Sequence, residues 1–390
     1  MSSLDFPNRR AVVALVGLLT TSACAAPVPV SAPAPAAGAP GSAAATTAGS
    51  VPAPVVRWPI KTAEHVDLWL HAFAMVGNDS APVPLYRRGY RDSMTVVKNR
   101  ANILTALDAN RSTLSTRLSS QDGYLMAQFL PLDMANWDVL RAFGERFLQY
   151  EGDPRRAPDR EIGARVAQFA QIFPSAADRE WLRLFLAGVS DEQQRFFADE
   201  HARVVRSRAR VITVVDSLWQ QVYRARFARF LTNTGQRTGD IILSLPIGGE
   251  GRTGVGRDRQ TVVVVPFPQR VEDAPEVLYV FAHEVTAGLV GSVVADNTTP
   301  AEKREGAADR AVSTGQVRAG AMVLRRVAPA LLDGYMRYYL AQVTAAPGTA
   351  TVMANLSGDS LARTFAERFP LPVAIRDGLE RQIDIVLGGI

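Results

Sequence analysis

His283 and Glu284 are neighbours in an apolar segment, Val280-Phe281-Ala282-His283-Glu284-Val285, and Glu305 and Asp309 follow some twenty residues later. An imidazole on a helix, a carboxylate beside it and a second imidazole one turn on would hold zinc and activate a bound water, because residues four apart share a helical face. The position one turn after His283 is Ala287. A methyl group offers no lone pair, so one expected ligand is missing. His283 and Glu284 also read simply as a polar pair on a helix whose other face is core.

The elements that would position these residues are well marked. Asp273 and Glu276 have capping-box spacing around Pro275, which predicts a helix from Pro275 to Val294. Thr299, Pro300 and Glu302 open a second helix, expected to run to Arg326 and to carry Glu305 and Asp309 on one face. Ahead of them, Ile241 to Ile247 and Thr261 to Phe267 are β-branched runs bounded by Gly and Pro, which predicts two strands joined by a glycine-rich loop. That loop, Gly249-Glu250-Gly251-Arg252-Thr253-Gly254, matches GxGxxG, but a strand follows it where a phosphate site needs a helix, so it reads as a hairpin loop.

The order of strand, helix with His-Glu, turn, and helix with ExxxD resembles the gluzincin branch of the zincin metallopeptidases. The resemblance covers about Asp240 to Arg326. It implies a zincin-like core in the C-terminal half, with Thr261 to Phe267 as the substrate-binding edge strand. It also implies His283 and Glu305 as zinc ligands, Glu284 as general base and Asp309 as the partner that orients a histidine. With Ala287 in the motif, a replacement ligand has to come from His65, His71, His201 or a carboxylate such as Asp296.

The rest of the chain is read more coarsely. Met1 to Cys24 has a charged start, the apolar run Ala11 to Leu19 and small residues thereafter, the parts of an export signal too short to span a membrane. No other segment reads as long and apolar enough to span. Cys24, the single cysteine, follows Thr21-Ser22-Ala23, which resembles the bacterial lipobox and implies a lipid on Cys24 that holds the protein to the cell envelope. Cleavage after Ala25 would instead leave a periplasmic or secreted protein. Residues 25–57 are nearly all Ala, Pro, Gly, Ser, Thr and Val, a composition that reads as a disordered tether.

From Thr62 the apolar spacing becomes helical. A first helix stops at Gly77, and others are expected near Ser93 to Ser119, Asp133 to Tyr150, Asp159 to Phe173 and Ala176 to Ala187. Ser190 and Gln193 have capping-box spacing and would start a long helix reaching toward Gly235. It bears Arg203, Arg206, Arg208, Arg210, Arg224, Arg226 and Arg229, a basic face that could meet anionic lipid or polysaccharide. Glu192, Asp199, Glu200 and Asp216 are interleaved, which suits an ordinary solvated face. Helices are also expected over Ala330 to Val343, Leu361 to Phe369 and Val373 to Leu387.

The fold class expected is therefore mostly α with a small β-sheet (α+β): a helical region over 58–235, with 236–390 packed on it as one domain. The net charge is +5, and removal of the signal with Asp5, Arg9 and Arg10 leaves +4, too little to indicate a nucleic-acid binder. Three functions fit: a tethered, catalytically silent zincin-like protein that binds a peptide or envelope protein, an active zinc peptidase with a substitute ligand, or a purely structural helical lipoprotein.

Overall fold

The computed structural model describes residues 56–77, 83–120, 122–343 and 356–388. The expected signal, with Cys24, lies outside them, as does the linker up to residue 55. Val56 is buried and Arg57 bridges to Thr238, so these last two residues of the stretch that composition assigns to the tether belong to the folded domain.

The chain is mostly helical with one four-stranded mixed sheet. Strands β1 (Ile60–Thr62), β2 (Gly239–Ser244), β3 (Arg252–Val255) and β4 (Thr261–Pro266) lie in the order β1-β2-β4-β3. β1, β2 and β4 are parallel, and β3 is antiparallel to β4. This corrects the sequence reading in two ways. The β-branched runs are parallel neighbours, not the arms of one hairpin, and Thr261–Pro266 is an inner strand. The glycine-rich segment itself supplies the edge strand, β3.

Helices α1 to α7 cover Glu64–Val76, Tyr90–Arg100, Ala106–Ala109, Arg111–Ser120, Trp137–Gln149, Arg160–Ile172 and Ala176–Glu192. The break after Arg100 is fixed by Thr105, whose side chain forms a capping box with Asp108. Helices α8 (Ala198–Ser207), α9 (Ala209–Ser217) and α10 (Arg224–Asn233) continue α7 through π-helical turns at Gln193–Phe197 and Leu218–Tyr223. Ser190 caps nothing there: its hydroxyl donates to the Leu186 carbonyl within a continuous helix.

The C-terminal helices are α11 (Pro275–Val285), α12 (Ala287–Asp296), α13 (Pro300–Arg304), α14 (Ala307–Val327), α15 (Leu332–Val343), α16 (Gly358–Arg368) and α17 (Val373–Leu387). The expected helix Pro275 to Val294 is interrupted at Thr286, whose hydroxyl donates to the His283 carbonyl at 2.7 Å. The segment Val271–Asp296 has the length and mean hydropathy, 1.6, of a membrane span, contrary to the sequence reading; 67% of its apolar window is buried in protein, as suits a core helix.

A strand buried on both faces needs a continuous apolar run, which β2 supplies at Ile241, Ile242 and Leu243 and β4 at Val262 to Val265. Ile241, Leu243, Val263 and Val265 pack toward α11 with Val277, Leu278 and Phe281. Ile242, Val262 and Val264 face the other way, onto Val66 and Leu70 of α1 and onto Leu132. The opposite side of α1 sends Trp69 and Phe73 into an aromatic core with Trp181 and Phe185, whose rings stack at 4.7 Å. One helix buried all round thus joins the sheet to the N-terminal helices.

Candidate functional site

α11 lies against β4 and β3 and carries His283 and Glu284 in its last turn, both almost fully buried. Its start differs from the sequence reading. Asp273 makes no cap because Arg270 holds its carboxylate, at 2.8 Å and 3.0 Å, and Ala274 stands at the N-cap before Pro275.

Glu284 reaches from α11 to the edge strand. Its Oε1 accepts from the Gly251 backbone N–H at 3.2 Å and from His283 Nδ1 at 2.9 Å. Its Oε2 accepts from the Thr253 hydroxyl at 2.8 Å. The strand register explains the geometry. Thr253 pairs with Val263 and so points to the α11 face, whereas Arg252 and Gly254 point to the far face, where Arg252 Nε donates to Gln128 Oε1. Gly251 must be glycine for this approach, since a Cβ there would lie 2.6 Å from Glu284 Cγ and 2.7 Å from the Val264 carbonyl oxygen.

Burial by itself would raise the pKa of Glu284. The hydrogen bond and charge of His283, the Thr253 hydroxyl and the charge of Arg252 outweigh it and hold the carboxyl below its ordinary value. Both carboxylate oxygens are occupied by protein donors, and a carboxylate so stabilised is a weak base. His283 in turn stacks on Tyr339 of α15, ring centroids 5.4 Å apart at 20°. The Tyr339 hydroxyl is buried with no hydrogen-bond partner among the described residues.

The other sequence-predicted site residues are not gathered here. α13 ends at Arg304, Glu305 is its exposed C-cap, and Gly306 turns the chain with φ 69° before α14 starts. Glu305 and Asp309 therefore belong to different helices and do not share a face. The Thr299–Glu302 capping box forms as the spacing predicts. The candidate substitute ligands are committed elsewhere: His65 Nε2 lies 3.1 Å from the Met134 carbonyl, His71 bonds Glu192 and Tyr90, His201 pairs with Asp67, and Asp296 is exposed. Among the described residues no three His, Cys, Asp or Glu side chains converge as a metal-binding group. A catalytic zinc needs three protein ligands and an open position, and the residues around His283 do not fit one.

A second buried polar cluster corrects the reading of Glu192 as part of a solvated face, since Glu192 is fully buried. Glu192 of α7 accepts from Lys98 Nζ at 2.9 Å and 2.8 Å, from His71 Nε2 at 2.9 Å and from the Thr105 hydroxyl. The Tyr90 hydroxyl is hydrogen-bonded to His71 Nδ1 at 2.9 Å. Burial opposes the charge on Glu192, but His71 and Lys98 hold its carboxyl down at about 2. Its members are up to 121 residues apart, and only the π-helical turn that follows Glu192 marks the place locally.

Two surface depressions, of about 510 Å3 beside Arg226, Arg229 and Arg326 and about 120 Å3 beside Arg87 and Tyr90, lie away from His283 and Glu284. Comparison of the chain with protein-family models, with curated proteins and with solved structures finds no match.

Proposed function

We propose that this chain is an exported, envelope-tethered binding protein with a zincin-like arrangement of strand and helix that performs no metal chemistry, and that it binds an extended peptide segment of an envelope partner along β3. The observation that carries the reading is the double engagement of Glu284. A residue poised to activate water would keep an oxygen open, and this one spends both on the edge strand, the neighbouring imidazole and Thr253.

The strand so held is suited to peptide addition. Gly256 N–H donates to the Gln260 carbonyl, so the alternation of an antiparallel ladder turns the N–H groups of Val255, Thr253 and Gly251 away from β4. Glu284 takes that of Gly251, leaving those of Thr253 and Val255 for a new strand. Attachment of a lipid to Cys24, with residues 25–55 as a spacer, would place this edge near other envelope proteins.

The test is selection of peptides from a mixed extended-peptide library on the full chain, followed by Val255→Pro. Proline is tolerated where an edge N–H faces solvent, so the fold should survive while one outward donor disappears. Binding reduced by roughly tenfold, about 1.4 kcal/mol, fits the loss of one well-formed hydrogen bond. Selection of no peptide, or of peptides indifferent to Val255→Pro, would sink the reading.

A further inference from the structure

We infer that the groove between the C-terminal ends of α14 and α17 and the outer face of α10 is a binding site for a phosphate-type anion. Arg226 and Arg229 stand one turn apart on α10, both exposed on one face. They line the depression of about 510 Å3 together with Arg326, Asp384, Leu387 and Gly388. Among the described residues the one carboxylate in the lining is already engaged, since Arg326 Nε donates to Asp384 Oδ1 at 2.6 Å. Arg226 lies over the Tyr223 ring at 5.5 Å, and neither it nor Arg229 has a hydrogen bond or ion pair among the described residues.

Among the described residues, two guanidinium charges therefore face the groove without a counter-charge, at a cost in mutual repulsion that a bound dianion or phosphodiester would remove. Guanidinium groups present a planar fork of donors that matches phosphate oxygens in pairs. The backbone makes room for this. Gly388 caps α17 with φ 74°, and a Cβ there would collide with the Arg229 guanidinium. Asn233 Nδ2 ties α10 to α17 by donating to the Val386 carbonyl at 2.7 Å, which keeps the two walls in register. Exposed apolar side chains lie nearby in sequence: Val222, in the π-helical turn that leads into α10, precedes Arg226 by one turn, and Ile385 of α17 is next to Asp384. That combination suits the headgroup of an anionic phospholipid, and a free phosphate shares the chemistry. The inference does not rest on the peptide-binding reading.

The experiment uses the full chain made without lipid modification, beside Arg226→Gln/Arg229→Gln, with circular dichroism to verify that the variant is folded. One arm measures sedimentation with vesicles of phosphatidylcholine alone or with added phosphatidylglycerol; the other titrates inorganic phosphate calorimetrically. The expected result is sedimentation that requires phosphatidylglycerol and is weakened roughly tenfold or more in the variant, in keeping with about 1 kcal/mol for each arginine near a charged surface. Phosphate binding without vesicle binding, again lost in the variant, would support the site and identify its ligand as soluble. Absence of both, or binding that the double substitution leaves unchanged, would overturn it.

Discussion

The Thr253 hydroxyl donates to Glu284 Oε2 at 2.8 Å, joining the edge strand to the last turn of α11. Gly251 N–H and His283 Nδ1 complete the set on Oε1. The carboxylate so held works as a clamp between two elements, and its removal is a matter of stability before it is one of catalysis. Glu284→Ala leaves a buried N–H, an imidazole N–H and a hydroxyl without their acceptor, and should lower the unfolding free energy by about 2–4 kcal/mol. Glu284→Gln keeps the shape and one acceptor oxygen, and Thr253 can rotate to accept from the amide, so its cost should be about 1 kcal/mol. Urea denaturation of both variants gives the comparison; equal stability of the wild type and Glu284→Ala would exclude the clamp.

Gly251→Ala probes the same contact from the strand side. The added methyl would lie against Glu284 Cγ, the Val264 carbonyl and Val280 Cγ1 at 2.6–2.9 Å. With backbone on one side, relief requires the strand to move. A loss of about 1–3 kcal/mol is expected, together with faster amide exchange at Thr253 and Val255. Unchanged exchange would mean that Glu284 does not fix β3.

Lys98→Met tests the buried cluster in the N-terminal helices. Lys98 is 2% exposed and donates to both oxygens of Glu192, and methionine fills a similar volume without the charge. Stranding Glu192 should cost about 3–5 kcal/mol. The depressed carboxyl of Glu192 also makes this stabilisation pH-dependent: it is fully present above the unfolded value of 4.5 and is lost as pH falls toward about 2. Thermal melts of wild type and Lys98→Met over that range should converge as the pH drops.

Glu276 behaves in the opposite sense. Burial, and then the Asp273 carboxylate, push its carboxyl up to about 7 from 4.5. The folded state therefore holds a proton that the unfolded state has released, and stability falls as pH rises from 4.5 through about 7. Glu276→Gln should be more stable than the wild type at pH above 7 by about 1 kcal/mol, allowing for partial exposure, with the advantage gone at low pH. A difference that does not vary with pH would rule this out.

Much of the helical frame was legible because its signals are local. Thr299 caps α13 as its spacing predicts, the helix expected near Asp159 starts there with Asp159 as its cap, and Gly77 ends α1. The edge strand was not legible, because Arg252-Thr253-Gly254-Val255 carries no strand pattern of its own and is extended by pairing with β4. The Glu305–Asp309 pairing failed on a signal that was present: Gly306 directly after a basic turn is a helix terminator, and the structure uses it as one. Of the candidate site, His283 and Glu284 were found from their own neighbourhood. Gly251 and Thr253, which decide what Glu284 can do, lie more than thirty residues away and are joined to it by the fold alone.

The central claim is that the His283–Glu284 pair is a structural clamp and not half of a metal site. Its most direct test is the zinc content of the purified protein by elemental analysis, after exposure to excess zinc and removal of the unbound metal, beside His283→Ala. The account predicts no stoichiometric zinc in either protein and a less stable His283→Ala variant. One zinc per chain, lost in His283→Ala, would contradict it and return the chain to the metallopeptidases.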